Sequence, residues 1–272
     1  MSPFLRGTAL VALLLPPAAL RAADGAIGSF RHDKTTVKAA DAMAFTTPVD
    51  GKPLTIVAVT DFKLDRQAVL DAIDPASGVM EQVNDGRNVV FLRLSSATAC
   101  GVYAYLSGTA QSMDLGNSFP AHPRTATASR VAGDCGTTAP QKSFDVTYEF
   151  KLAYDLPVTP VPPATALPAG GGEPGAGFVA LVKAIAAHDV KTALAHVPAG
   201  ETPSTPDANW LDGLALNYPK QATVKDGLAK GARARFEIAG LDHDGKKIKG
   251  TVEMRKEQAS WRVHGLSLFF DQ

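Results

Sequence analysis

"KSFDVTYEFKLAY", residues 142–154, places Phe144, Val146, Tyr148, Phe150, Leu152 and Tyr154 on one face and Ser143, Asp145, Thr147, Glu149 and Lys151 on the other. A period of two over this length predicts a β-strand with one packed face and one wet face. Immediately after it, "LPVTPVPPATALPAGGGEPGAG", residues 156–177, changes character: from residue 157 onward it contains six prolines and five glycines in 21 residues. Proline fixes φ and removes a donor, and glycine raises backbone entropy, so this stretch reads as a spacer, stiff and then flexible. The chain is thereby divided into a part before it, residues 24–155, and a part after it, residues 178–272.

Working back from the strand, residues 24–155 read as mostly β. LTIVAVT (54–60), NVVFLRLS (88–95), CGVYAYL (100–106) and TATASRVA (125–132) predict further strands, punctuated by the turn pairs Asp50-Gly51 and Asp85-Gly86. One short helix is expected from Asp65, a plausible cap, through Ala68, Val69 and Ala72 to a stop before Pro75. Cys100 and Cys135 are the only cysteines. They have no CxxC spacing and no adjacent histidine pair, so a disulfide is expected rather than a metal site. Short, regularly spaced strands joined by one disulfide point to an antiparallel sandwich.

Forward of the spacer, Phe178, Leu181, Val182 and Ile185 have i, i+3, i+4, i+7 spacing, and Val190, Leu194 and Val197 continue an apolar stripe past His188-Asp189. Two short helices, or one bent one, open this part, and another helix is expected around residues 210–216, before Pro219. In ARARFEIAG (232–240) and KIKGTVEMRKE (247–257) the apolar residues alternate with charged ones, and Asp244-Gly245 supplies a hairpin turn between them. In SWRVHGLSLFF (260–270) the apolar positions are odd at Trp261 and Val263 but even at Leu266, Leu268 and Phe270; this phase change at Gly265 predicts a β-bulge.

"FVALVKAIAAHDVKTALAHV" followed by "GTVEMRKEQASWRVHGLSLF", over residues 178–272, resembles the nuclear transport factor two-like (cystatin-like) superfamily, as found in many exported bacterial proteins. The resemblance implies an α+β cone with a bent antiparallel sheet, and a cavity between sheet and helices. "DGKPLTIVAVTDFKLDRQAVLDAI" is similar to domains of uncharacterised exported bacterial proteins and implies no named chemistry. The expected fold class is therefore α+β, with an N-terminal antiparallel β-sandwich-like domain and a C-terminal α+β cone.

Residues 1–22 carry a short basic start at Arg6, an apolar run GTALVALLLPPAAL broken by Pro16 and Pro17, and small residues at Ala22 and Ala23. That is the layout of a secretory signal peptide cleaved near Ala22, too short and proline-broken for a stable span. A periplasmic or secreted product follows. Lys+Arg and Asp+Glu are equal at 27 each, so no global field attracts nucleic acid.

Catalytic motifs are missing: there is no GxSxG, HExxH or SxxK, and no phosphate loop ending in Gly-Lys-Ser/Thr. AGGGEPGAGF, a glycine run before a helix, reads as spacer rather than anion site, because no strand precedes it. Asp242-His243-Asp244 lies where a hairpin turn is needed and reads as turn rather than metal site. Asp189 and His196 lie seven apart. On one continuous helix they would share the stripe of Phe178, Val182 and Ile185 and could do acid/base work; if the helix breaks at His188-Asp189, Asp189 is an N-cap and His196 an ordinary histidine. Trp210, Tyr218, Phe236 and Trp261 are the large apolar anchors, core residues that in a cone would also line a ligand pocket. The residues thus point to a non-enzymatic binding or interaction module of the cell envelope, with no cofactor or metal, whose ligand is a protein or a small molecule. The alternative is a proton-transfer enzyme using the C-terminal pocket.

Overall fold

The computed structural model describes residues 25–49, 52–84, 86–96, 98–107, 111–143 and 146–270. The expected signal segment, the Asp50-Gly51 turn, Asp85, Phe144 and Asp145 lie outside the described residues. The molecule is mostly β, not α+β: of the described residues 53% are in strands and 20% in helices. A sheet of ten strands and a sheet of five replace the expected sandwich and cone. The helices are few and short, the longest having 15 residues.

The first sheet is built from β1 (Gly25–His32), β2 (Thr35–Lys38), β3 (Asp41–Val49), β4 (Lys52–Thr60), β5 (Asn88–Leu94), β6 (Ala99–Leu106), β7 (Gln111–Ala126), β8 (Arg130–Gly136), β9 (Gln141–Ser143) and β10 (Val146–Thr159). Its order is β2-β1-β10-β3-β4-β5-β6-β7-β8, with β9 on β10. Strand β10 also pairs with β8 over seven residues and meets β3 through a short parallel contact at Val158↔Ala44 and Thr159↔Phe45. The path from β10 through β3–β8 therefore returns to β10, and the sheet closes on itself. A sandwich was expected because strand spacing alone does not reveal that two strands, β7 and β10, are long enough to run through both halves.

The opening strand behaves as its alternation requires: Tyr148, Phe150, Leu152, Tyr154, Leu156 and Val158 all point into the interior of the closed sheet and are buried. Cys100 and Cys135 are joined as expected, with a Cα–Cα distance of 6.4 Å. They tie β6 to β8 across β7, inside the same core. Strands β3–β5 are buried on both faces. Ala42, Ala44, Val57, Val59, Val90 and Leu92 face the interior, while Met43, Phe45, Ile56, Ala58, Val89 and Phe91 pack under α1 (Arg66–Asp71) and α2 (Pro75–Met80). This explains why LTIVAVT and NVVFLRL are near-continuous apolar runs.

Residues 125–132, read as one strand, hold the turn between β7 and β8 instead, where Thr127 Oγ1 accepts from the N–H groups of Ser129 and Arg130. Asp65 caps α1 as expected, accepting from Ala68 N at 3.0 Å. Pro75, read as a stop, is also a start. Asp74 caps α2 through Ser77 N at 3.1 Å, and the proline occupies the first helical turn, where its missing N–H costs nothing.

The proline- and glycine-rich segment is largely built into regular structure. "LPVT" completes β10, Thr165–Ala166 forms β11, and Leu167 N donates to Gly227 O at 2.9 Å. Gly170, Gly171 and Gly172 turn the chain with φ of 77°, 77° and 58°, conformations that side chains resist. Helix α3 (Gly172–Ala186) then starts six residues before its apolar stripe. Its glycines allow close packing: a Cβ on Gly175 would lie 2.1 Å from Gly170 O, and one on Gly177 would press on His196 and Trp261. Here glycine serves close packing, a use that composition cannot separate from flexibility.

The second sheet is antiparallel, in the order β11-β12-β13-β14-β15, with β12 (Gln221–Lys230), β13 (Arg233–Leu241), β14 (Lys247–Glu257) and β15 (Ser260–Phe270). β12 carries no clean alternation because its register shifts between Val224 and Gly227, and sequence reading missed it. α3, α4 (Val190–Leu194) and α5 (Ala208–Ala215) accompany this sheet. Phe178, Leu181, Val182 and Ile185 of α3 share a core with Phe236, Ile238, Val252 and Met254. The bulge predicted at Gly265 is present: Glu253 pairs with Gly265 and Met254 with Val263, leaving His264 as the extra residue.

Candidate ligand cleft between the two sheets

The helix pair α1–α2 stands against the face of the second sheet that α3 leaves free. Three contacts join them. Arg233 Nη1 donates to both oxygens of Glu81 at 2.6 Å, Arg255 Nη2 meets Glu81 Oε2 at 2.9 Å, and Lys230 Nζ donates to Ala72 O at 2.9 Å. Arg233 and Arg255 are cross-strand partners on β13 and β14, so the register of this sheet is what converges two guanidinium groups on one carboxylate. Burial at the contact lowers the pKa of Lys230, with the nearby Arg233 adding to the shift and Asp71 and Asp74 opposing it.

Cavities flank this seam on both sides. One, of about 530 Å³, has apolar walls from Ile56, Ala76, Met80, Phe91 and Tyr103, and polar groups from Asp74, Ser77, Glu81, Arg93 and Glu253. The other, of about 650 Å³, runs from Pro48 and Ile73 to Leu228, Phe236, Arg235 and Glu237. Asp74 borders both. Its carboxylate caps α2, bonding Ser77 N and Ser77 Oγ at 3.1 and 3.0 Å. Phe91 and Tyr103 form a tilted pair with centroids 6.1 Å apart, a rigid aromatic wall. At the edge, Arg93 forms a two-point pair with Asp114 at 3.0 and 2.6 Å, and this bond holds the Asp114 carboxyl below its ordinary pKa. Volumes of several hundred Å³, apolar walls and a few fixed polar groups at a boundary between units are the attributes of small-molecule sites.

Among the residues singled out from the sequence, Phe236 borders the 650 Å³ cavity; the others lie elsewhere, and they do not converge. The helix breaks at His188, which has φ 54°. Asp189 caps α4, its carboxylate bonding Thr192 N at 3.1 Å and Thr192 Oγ1 at 2.6 Å. These bonds to Thr192 lower its pKa. His196 has a different partner, its Nδ1 lying 2.9 Å from Trp261 O. Phe236 and Trp261 are core residues: Phe236 meets Phe178 edge-on at 5.9 Å, and Trp261 donates from Nε1 to Glu173 Oε2 at 3.4 Å. Trp210 packs against the same core from α5. Tyr218 is half-buried; burial, with Glu201 adding to it, pushes its hydroxyl up to about 12. Asp242 serves the turn, accepting from Lys246 N at 2.7 Å. Among the described residues no group of three or more His, Cys, Asp or Glu side chains could hold a metal ion. No described helix is long and apolar enough to cross a membrane.

Sequence reading passed over Asp74, Ser77 and Glu81 because Pro75 closed the helix too early. The signal present was Asp-Pro with Ser two residues beyond, a capped helix start. Fold and site thus define a mostly β protein of two sheets with a charged, aromatic-walled cleft between them. No protein-family model, curated protein or solved structure matches the chain.

Proposed function

We propose that this chain is an exported, non-enzymatic binding protein of the bacterial cell envelope, and that its ligand is a small amphipathic molecule seated in the cleft between the sheets. One observation carries the reading: the cavity of about 530 Å³ draws its apolar walls from the first sheet and α2, and part of its charged lining from the second sheet. A ligand with an aromatic or aliphatic body meets Phe91, Tyr103 and Met80, and its polar groups meet Ser77, Arg93 and Glu253. Export is supported by the apolar leader in the sequence and by the single disulfide, which persists in oxidising compartments. The acid/base alternative loses its support from Asp189 and His196, since each is committed to a different structural partner.

The test uses 8-anilinonaphthalene-1-sulfonate, an amphipathic fluorescent anion, titrated into the purified protein and into Ala76→Trp, which fills the apolar wall. The wild type is expected to enhance the dye's fluorescence saturably, and the variant to lose most of that enhancement while keeping its circular dichroism and melting temperature. Equal enhancement in both, or none in the wild type, would sink the cleft as the ligand seat.

A further inference from the structure

The second sheet has an open edge at β15, and this edge is only half covered. Over its first half, Val263 N donates to His196 O at 2.9 Å, Trp261 O faces His196 Nδ1 at 2.9 Å, and Arg262 Nη1 donates to Leu194 O and Val197 O. From Gly265 to Phe270 none of the described residues pairs with the outer side of the strand. The backbone alternates: Trp261 and Val263 point outward before the bulge, and the extra residue His264 shifts the outward set to Leu266, Leu268 and Phe270. Natural edge strands are guarded by lysine, proline, bulges or covering segments. "GLSLFF" carries no charge and no proline, and it ends on Phe269 and Phe270, which are 65% and 67% exposed. Leu216, 86% exposed, borders the same groove of about 520 Å³ beside these rings.

We propose that residues 265–270 pair with the same residues of a second copy of this chain, in antiparallel register, joining two five-stranded sheets into one of ten. The choice of occupant rests on self-complementarity. A two-fold axis perpendicular to the sheet keeps each face on its own side, so only residues of equal parity can oppose one another. With the axis through Ser267, Phe269 of each copy lies across from Gly265 of the other. That glycine has no side chain of its own, and the Glu253 side chain lies 3.4 Å from where its Cβ would be, so the ring of Phe269 packs over the glycine beside that carboxylate. On the helix-bearing face Leu266 opposes Leu268, and the outward N–H and C=O groups of these two residues are among those left without partners. Ser267 meets Ser267, and Glu253 and Lys249, the cross-strand neighbours of Gly265 and Phe269, flank the joint on the same face.

The size of the contact sets its strength. With a phenylalanine presenting on the order of 200 Å², the two rings and Leu216 expose roughly 400 Å² per copy. Pairing that covered all of it would bury about 800 Å² in total, below the size of stable specific interfaces, so a weak, reversible dimer with dissociation in the micromolar range or above is expected.

Sedimentation velocity over about 1 to 200 μM tests this, on the wild type, on Ser267→Lys and on Phe269→Ser. The wild type is expected to shift from monomer toward dimer across the range. Ser267→Lys, which sets two like charges face to face, and Phe269→Ser are each expected to weaken the dimer at least tenfold, with melting temperature unchanged because both side chains are exposed. A wild type that stays monomeric at the top concentration overturns the proposal. So does a dimer that neither variant weakens, which would place the contact on another surface. A foreign protein bound tightly to this edge in place of a second copy would overturn it as well.

Discussion

The two sheets solve the same problem in opposite ways. In the first, strands β3–β8 and β10 form a ring: interior residues such as Phe30, Leu92 and Leu152 are sealed, β3–β5 are covered on their outer side by α1 and α2, and a disulfide crosses the interior. In the second, one face packs on α3, the other meets solvent or the cleft, and the edge of β15 is half open. Closure abolishes most free edges and draws stability from long-range pairing, whereas an open sheet keeps a face and an edge free for other molecules. The cleft draws on both sheets, with most of the lining of its 530 Å³ cavity supplied by the first sheet and α2, whereas the strip at 265–270 belongs to the open sheet alone.

If the halves differ in this way, damage to one should be separable from damage to the other. The largest effect is expected from Phe178→Ala, which empties the centre of the smaller core where Phe178 meets Phe236: about 3–5 kcal/mol. Urea denaturation followed by intrinsic tryptophan emission reads it directly, since Trp210 and Trp261 are the only tryptophans and both belong to the second sheet's core. Next comes the paired change Cys100→Ser and Cys135→Ser. It releases a loop with a sequence separation of 35 and should cost the closed sheet on the order of 3–4 kcal/mol by the chain-entropy account. Far-ultraviolet circular dichroism should show an earlier loss of β signal while tryptophan emission keeps its midpoint. A common shift of both probes would mean that the two sheets unfold as one unit.

Legibility divides along the same line. The strand at 146–158, the α1 cap at Asp65, the disulfide, the 233–257 hairpin and the bulge at Gly265 were all readable, because each is a local pattern: a period of two, a cap, a phase change. Ring closure was not readable, since it depends on the length of β7 and β10 and on a two-residue contact between positions more than a hundred residues apart. The prolines and glycines of 156–177 were misleading for a physical reason: Pro157 takes a strand position, and Gly171 and Gly175 admit Val224 and the backbone of Gly170 at close range. The cleft was invisible because Glu81 lies in the first half of the chain and Arg233 and Arg255 in the second. Only folding brings them together.

That junction sharpens the comparison with a smaller effect. Glu81→Ala leaves Arg233, whose side chain is only 18% exposed, without its acceptor, at a cost of about 1–2 kcal/mol after allowance for solvent. More telling than the midpoint would be the separation of the two unfolding probes, expected to widen when the bridge is gone. Glu81→Gln, which keeps the shape and one acceptor, should restore part of the coupling.

The smallest effect expected is a difference in acid sensitivity at β5–β7. Hydrogen bonding from Arg93, with help from Gly116 N, holds the Asp114 carboxyl below its ordinary value of 3.8 in the folded protein. The unfolded chain therefore binds more protons than the folded one between the two values. The stabilisation is complete above the ordinary value and is lost as pH falls through the lower, folded one. Asp114→Asn has no such proton to take up, so it should be slightly less stable at neutral pH and approach the wild type as acid is added. Circular-dichroism melts at pH 7, 4, 3 and 2 would trace the convergence. Because the pair sits on the closed sheet and is largely solvent-facing, tryptophan emission from the second sheet should stay indifferent to the substitution at every pH, and a parallel response there would show that strain in the ring is transmitted across the Glu81 seam.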